Sequence, residues 1–74
     1  MTFDEFMFKF SDQFDETDAN DINPDTEFQK LEEWSSLEAL CVISMADEEY
    51  GKQISADDIR ACKTVKELYD FLEK

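Results

Sequence analysis

The stretch Ser35-Ser36-Leu37-Glu38-Ala39-Leu40-Cys41-Val42-Ile43-Ser44-Met45-Ala46-Asp47-Glu48-Glu49-Tyr50-Gly51 carries its own start and stop signals for a helix. At its head, Ser35-x-x-Glu38 has the form of a capping box, a hydroxyl for an orphan N–H and a carboxylate three residues on. At its tail, Gly51 is the residue that most easily takes the left-handed conformation closing a helix. Between them Ala39, Val42, Ile43, Ala46 and Tyr50 form a broad stripe suited to a core. The other side carries Leu37, Cys41, Ser44 and Glu48. No Lys or Arg stands between Lys30 and Lys52, whereas Glu32, Glu33, Glu38, Asp47, Glu48 and Glu49 all fall in that interval. Helices ordinarily mix both signs to gain i,i+4 pairs. A single-sign helix points to selection for something besides its own stability, although chance accounts for part of it in so acidic a chain.

Upstream, Thr2-Phe3-Asp4-Glu5 is a second capping box. Behind it Phe3, Phe6, Met7, Phe10 and Phe14 share one helical face, which predicts a first helix ending near Asp15. Phe8 falls off that face and is either a second contact surface or simply exposed. Thr17 to Asp25 is polar and contains Asn23-Pro24, and the residue before a proline avoids the α region. It reads as a long loop, pinned to the core by Phe28 and Leu31. Downstream, Ser55-Ala56-Asp57-Asp58 caps a short third helix ending around Ala61-Cys62. Thr64-Val65-Lys66-Glu67 caps a fourth, with Val65, Leu68, Tyr69 and Leu72 inward. The expected fold is all-α, a small four-helix bundle with a long loop between helices 1 and 2, forming one domain over residues 1–74.

Composition narrows the function. Seventy-four residues leave no room for both a core and a deep catalytic cleft. The 42% hydrophobic content argues for a folded chain, and one Gly and one Pro argue against many tight turns. Twenty Asp+Glu against seven Lys+Arg give a net charge of −13. Such a chain does not neutralise nucleic-acid phosphates, and anionic membranes repel it. Its partners should be basic proteins. There is no histidine, the commonest general base and metal ligand. Cys41 and Cys62 lack C-x-x-C spacing and read as reduced thiols. Cys62 reads as a small buried hydrophobe, Cys41 as a surface or partner contact. The acidic N-terminus is unlike a signal peptide, and no apolar run reaches membrane length. A cytoplasmic monomer is expected.

Two candidate sites compete with simpler readings. Ser36, at the mouth of the second helix, sits where N–H groups and the positive end of the helix dipole favour a phosphate ester. Spacing alone favours plain capping, in which Ser35 fills the box and Ser36 is a spare hydroxyl at the first helical position. In the loop, Asp21-x-Asn23-x-Asp25 with Glu32 fits positions 1, 3, 5 and 12 of a calcium loop. Thr26 stands where such a loop needs glycine, Pro24 is intrusive, and no helix enters before Asp21. No metal ligand set is expected.

The pattern from Phe28 to Leu72 resembles the acyl carrier proteins of the phosphopantetheine-binding family. It comprises Phe28-x-x-Leu31, Trp34-Ser35-Ser36-Leu37, Asp47-Glu48-Glu49-Tyr50-Gly51, Ile54, and Lys63-Thr64-Val65 leading into Leu68-Tyr69. The family attaches its prosthetic group to the serine of Asp-Ser-Leu at the start of the second helix, and Ser36-Leu37 match its last two places. The resemblance implies a 4′-phosphopantetheine arm on Ser36 holding an acyl or aminoacyl group as a thioester. It implies a carrier and not an enzyme. The implied partners are a phosphopantetheinyl transferase and loading and downstream biosynthetic enzymes with basic docking surfaces. Leu37, Glu38, Asp47 and Glu48 would meet them, assisted by Asp57 and Asp58. Ser35 replaces the family's Asp, which helps the transferase hold magnesium, and Trp34 replaces the commoner small residues. Serine cannot supply that charge, which calls for a dedicated or permissive transferase, and Trp34 points to a specialised carrier in a specialised biosynthetic route. The alternative is an acidic helical interaction module with no prosthetic group.

Overall fold

The computed structural model describes residues 2–74, with the side chain of residue 19 left aside. Among the described residues there are four α-helices and no strand: α1 (Phe3–Ser11), α2 (Ser36–Tyr50), α3 (Ala56–Arg60) and α4 (Val65–Glu73). The fold is all-α, as the hydrophobic spacing predicts. Each start is capped by the expected residue. Thr2 and Ser55 form reciprocal capping boxes with Glu5 and Asp58. Ser35 and Thr64 accept the backbone N–H of Glu38 and Glu67. The box at Ser35 is only half made, because the Glu38 carboxylate does not return to the Ser35 N–H. Gly51 ends α2 at φ 66°, and its N–H donates to the Asp47 carbonyl at 2.9 Å.

α1 stops at Ser11, four residues before the predicted end. The Ser11 hydroxyl donates to the Met7 carbonyl at 2.7 Å, and the Gln13 amide donates to Lys9 O at 3.1 Å. The N–H groups of Gln13 and Phe14 then bond three residues back, tightening the turn. Phe14 still reaches the core, which is why its spacing reads as helical.

The connection from α1 to α2 contains two short 3₁₀ turns, Ala19–Asp21 and Phe28–Lys30. It is fastened by polar contacts at three places. The carbonyls of Pro24 and Thr26 accept the N–H groups of Lys66 and Val65, orphan donors in the first turn of α4. The Gln29 amide donates to Ile59 O at 3.1 Å and Cys62 O at 2.8 Å, closing the end of α3. The Glu33 carboxylate accepts the N–H groups of Asp15, Glu16 and Thr17 and the Thr17 hydroxyl. Across the molecule, the Lys52 ammonium donates to Leu72 O at 2.7 Å at the end of α4.

The core joins Phe6, Phe10 and Phe14 of α1 and its turn to Phe28, Val42, Ala46, Ile59, Val65, Leu68 and Leu72. An aromatic chain runs through it. Phe10 meets Phe28 edge-on at 5.6 Å, and Phe28 meets Trp34 edge-on at 5.0 Å. That chain ends at Trp34, one residue before the Ser35 cap of α2.

Candidate functional site

Ser35 is extended, with φ −155° and ψ 177°, and its Oγ accepts Glu38 N–H at 3.4 Å while its carbonyl accepts Ala39 N–H at 3.0 Å. Ser36 is therefore the first helical residue. It is exposed, and its hydroxyl takes no hydrogen bond among the described residues. Its N–H and that of Leu37 precede the first donor used by the cap. The positive end of a fifteen-residue helix is thus left open beside a free hydroxyl.

A groove of about 250 Å³ runs beside this hydroxyl, lined by Gln29, Trp34, Ser36, Ala39, Ile59 and Arg60 among others. Trp34, Ala39 and Ile59 give it an apolar floor. Arg60 puts a cation at its edge, tied to the adjacent Asp57 carboxylate by an exposed i,i+3 pair. The groove joins segments distant in sequence, which is why Gln29, Ile59 and Arg60 carry no sequence signal for the site. Trp34 is held by the aromatic chain and only partly buried.

The candidate contact residues divide. Leu37 is 67% exposed, and Leu40, one turn along the same side, is 61% exposed. Leu40 escaped the sequence reading although its i,i+3 spacing from Leu37 marks the same strip. Asp47, Glu48 and Asp57 are exposed. Asp58 is half-buried and accepts Ser55 N–H at 3.0 Å, so its carboxylate serves the α3 cap. Glu38 is a correction: it is only 7% exposed and cannot stand on an exposed contact face. It lies on the inward stripe with Val42 and Met45, and the half-made cap leaves its Oε2 without a partner. Burial pushes its carboxyl above the ordinary value, and the nearby negative charges of Glu33 and Asp15 push the same way. The Thr17 hydroxyl, followed by three backbone N–H groups, holds the Glu33 carboxyl below its ordinary value despite some desolvation.

In the loop, Asn23 Oδ1 accepts Asp25 N–H, and Thr26 Oγ1 accepts Asn23 N–H. The calcium-loop pattern is thus a turn closed on itself. Among the described residues no group of three acidic, Cys or His side chains is placed to hold a metal ion. Cys41 and Cys62 are unpaired, and burial raises the Cys62 thiol while it donates weakly to Asp58 O at 3.5 Å. Among the described residues no helix is long and apolar enough to cross a membrane.

A family model described as "Phosphopantetheine attachment site" matches residues 9–72. No curated protein and no solved structure gives a match.

Proposed function

This chain belongs to the phosphopantetheine attachment-site family, non-catalytic carriers of a covalent 4′-phosphopantetheine group, and from that premise we propose that Ser36 is the attachment residue. The observation that carries this is the free, exposed Ser36 hydroxyl at the open N-terminus of α2. The neighbouring hydroxyl is spent on the cap, whereas Ser36 can be esterified without undoing it. A phosphodiester there gains from the uncapped N–H groups and from the helix dipole. The adjacent groove with Trp34, Ala39, Ile59 and Gln29 offers an apolar floor and an amide edge. On these grounds the residues present fit the group.

In the modification, Ser36 Oγ loses its proton and bonds to the pantetheine-side phosphorus of coenzyme A, releasing adenosine 3′,5′-bisphosphate. Among the described residues no side chain hydrogen-bonds the Ser36 hydroxyl, so the base is assigned to the transferase. Once attached, the arm supplies a terminal thiol that holds an acyl or aminoacyl group as a thioester. The protein contributes position and recognition.

Carriers of this family work with a phosphopantetheinyl transferase and with biosynthetic enzymes. For this chain we assign the contact face to Leu37 with Asp47 and Glu48, extended by Asp57. Rim charges add little individually. They accelerate encounter with basic partners and make it salt-sensitive, which suits a carrier that must leave each enzyme. A specialised biosynthetic route fits Trp34-Ser35 before the attachment serine, and the cytoplasm fits the two unpaired thiols.

The test is intact-mass spectrometry after incubation with coenzyme A, magnesium and a broad-specificity transferase. Addition of one phosphopantetheine is expected. Ser36→Ala should abolish it and keep the helical circular-dichroism signal, because the Ser35 cap remains. Ser35→Asp should keep or raise the rate, since Asp also caps and restores a carboxylate beside the serine. No addition with any transferase would remove the carrier assignment and leave the bare interaction module. Addition on Ser35 would move the attachment point.

A further inference from the structure

We propose that α1 carries a second docking site, centred on Phe8, for a partner protein segment that inserts an apolar side chain framed by lysines or arginines. The proposal goes beyond the carrier role and is independent of Ser36. Phe8 is 76% exposed, more than either Leu37 or Leu40. A single exposed apolar residue needs no explanation. Phe8, however, borders a groove of about 370 Å³ that also holds Phe3, Met7, Ile22 and Pro24, with Asp4 at its edge. It stands at the edge of a shallow, open apolar patch with a polar rim, a form suited to receiving one apolar side chain.

The charge around the patch selects its occupant. Asp4, Glu5 and Asp12 lie four and three residues before Phe8 and four after it, which places them on its side of the helix, and all are exposed. The single base of α1, Lys9, reaches instead to Glu49 of α2 at 3.4 Å. A second copy of this chain would bring two such acidic rims together, each on a molecule of net charge −13. Anionic lipid meets the same repulsion. A basic amphipathic segment satisfies both features, with one apolar side chain in the groove and cations against Asp4 and Asp12. The patch is small beside a stable interface, so the contact is weak and quickly reversed. The groove shares no lining residue with the one beside Ser36. A partner can hold α1 while α2 faces another surface, which raises the effective concentration of carrier at that partner.

The experiment titrates a ¹⁵N-labelled sample of the whole chain with a synthetic Leu/Lys amphipathic helical peptide. Shift changes should cluster over residues 3–12 and 22–24. Phe8→Ala should weaken binding by about tenfold or more, as for an aromatic anchor, at unchanged melting temperature because the ring packs on nothing inside. Asp12→Lys, which leaves Phe8 in place, should weaken binding and flatten its salt dependence. Leu37→Ala should leave affinity unchanged. Shifts spread over every acidic face, shifts centred on α2, or wild-type affinity in Phe8→Ala would each overturn the proposal.

Discussion

Glu33 and Glu38 flank Ser36, the proposed attachment residue, and their carboxyls are shifted in opposite directions. Glu38 is buried with an oxygen that has no partner, and its carboxyl is raised. The folded state therefore holds the proton more tightly than the unfolded chain does, and stability falls as pH rises from about the ordinary 4.5 through the raised value. Glu38→Gln removes that charge at constant size. At pH 7 it should stabilise by about 1 kcal/mol, which for a domain of this length raises the melting temperature by about 4–8 °C. Thermal unfolding at several pH values checks this, and the gain should vanish towards pH 4.5. Glu33 behaves conversely. Its carboxyl is lowered, so its contribution is present above about 4.5 and is lost as pH falls through the depressed value. Glu33→Gln should blunt acid unfolding and loosen Asp15 to Thr17, seen as faster amide exchange there. Neither role could be read from charge pattern, which treats every carboxylate as surface. For Glu38 the spacing held a warning, since it stands one helical repeat before Val42 on the stripe that faces the core.

At the scale of elements, caps and stripes were legible and ends set by tertiary contacts were not. α2 begins and ends where Ser35 and Gly51 place it, because both signals are local. α1 ends early because the Glu33 carboxylate collects three backbone N–H groups just past it, an event eighteen residues away in sequence. That Ser36 is the first helical residue, just past the Ser35 cap, was legible for the same local reason. Its proposed role came from the family resemblance, since spacing alone favours plain capping. The groove beside it was not legible, because Gln29 and Ile59 meet across thirty residues. Gly51 offers a clean test of a local signal. A Cβ there would touch nothing within 4 Å, so replacing it by Ala costs only the left-handed backbone at φ 66°. Gly51→Ala should destabilise by about 1–2 kcal/mol, and Gly51→Asn by less, since Asn tolerates that region better. Urea denaturation with an unchanged slope would confirm that the effect is on the folded backbone; equal stability of Ala and Gly would refute it.

At the scale of the molecule, net charge of −13 is set against few ion pairs between elements among the described residues. Among the described residues, three of the four ion pairs are local i,i+3 or i,i+4 pairs on the surface, Glu27–Lys30, Asp57–Arg60 and Lys66–Asp70. Only Lys9–Glu49 joins two helices. Exposed local pairs contribute little, so salt that screens them removes little. The same salt screens the repulsion among twenty carboxylates, which opposes the compact state as a whole. At low ionic strength the screening length is about 30 Å, longer than the 27 Å long axis of the fold, so nearly every carboxylate repels every other. At 0.15 M it shortens to about 8 Å, and only near neighbours still interact. Raising NaCl from 10 mM to 150 mM should therefore raise the melting temperature, by about 4–8 °C for each kcal/mol of repulsion removed. The chain should stay monomeric by sedimentation at both salts, since its surfaces share one sign. A flat melting temperature over this range would mean that the carboxylates are already neutralised in pairs, and a fall would mean that the Lys9–Glu49 tie outweighs the repulsion.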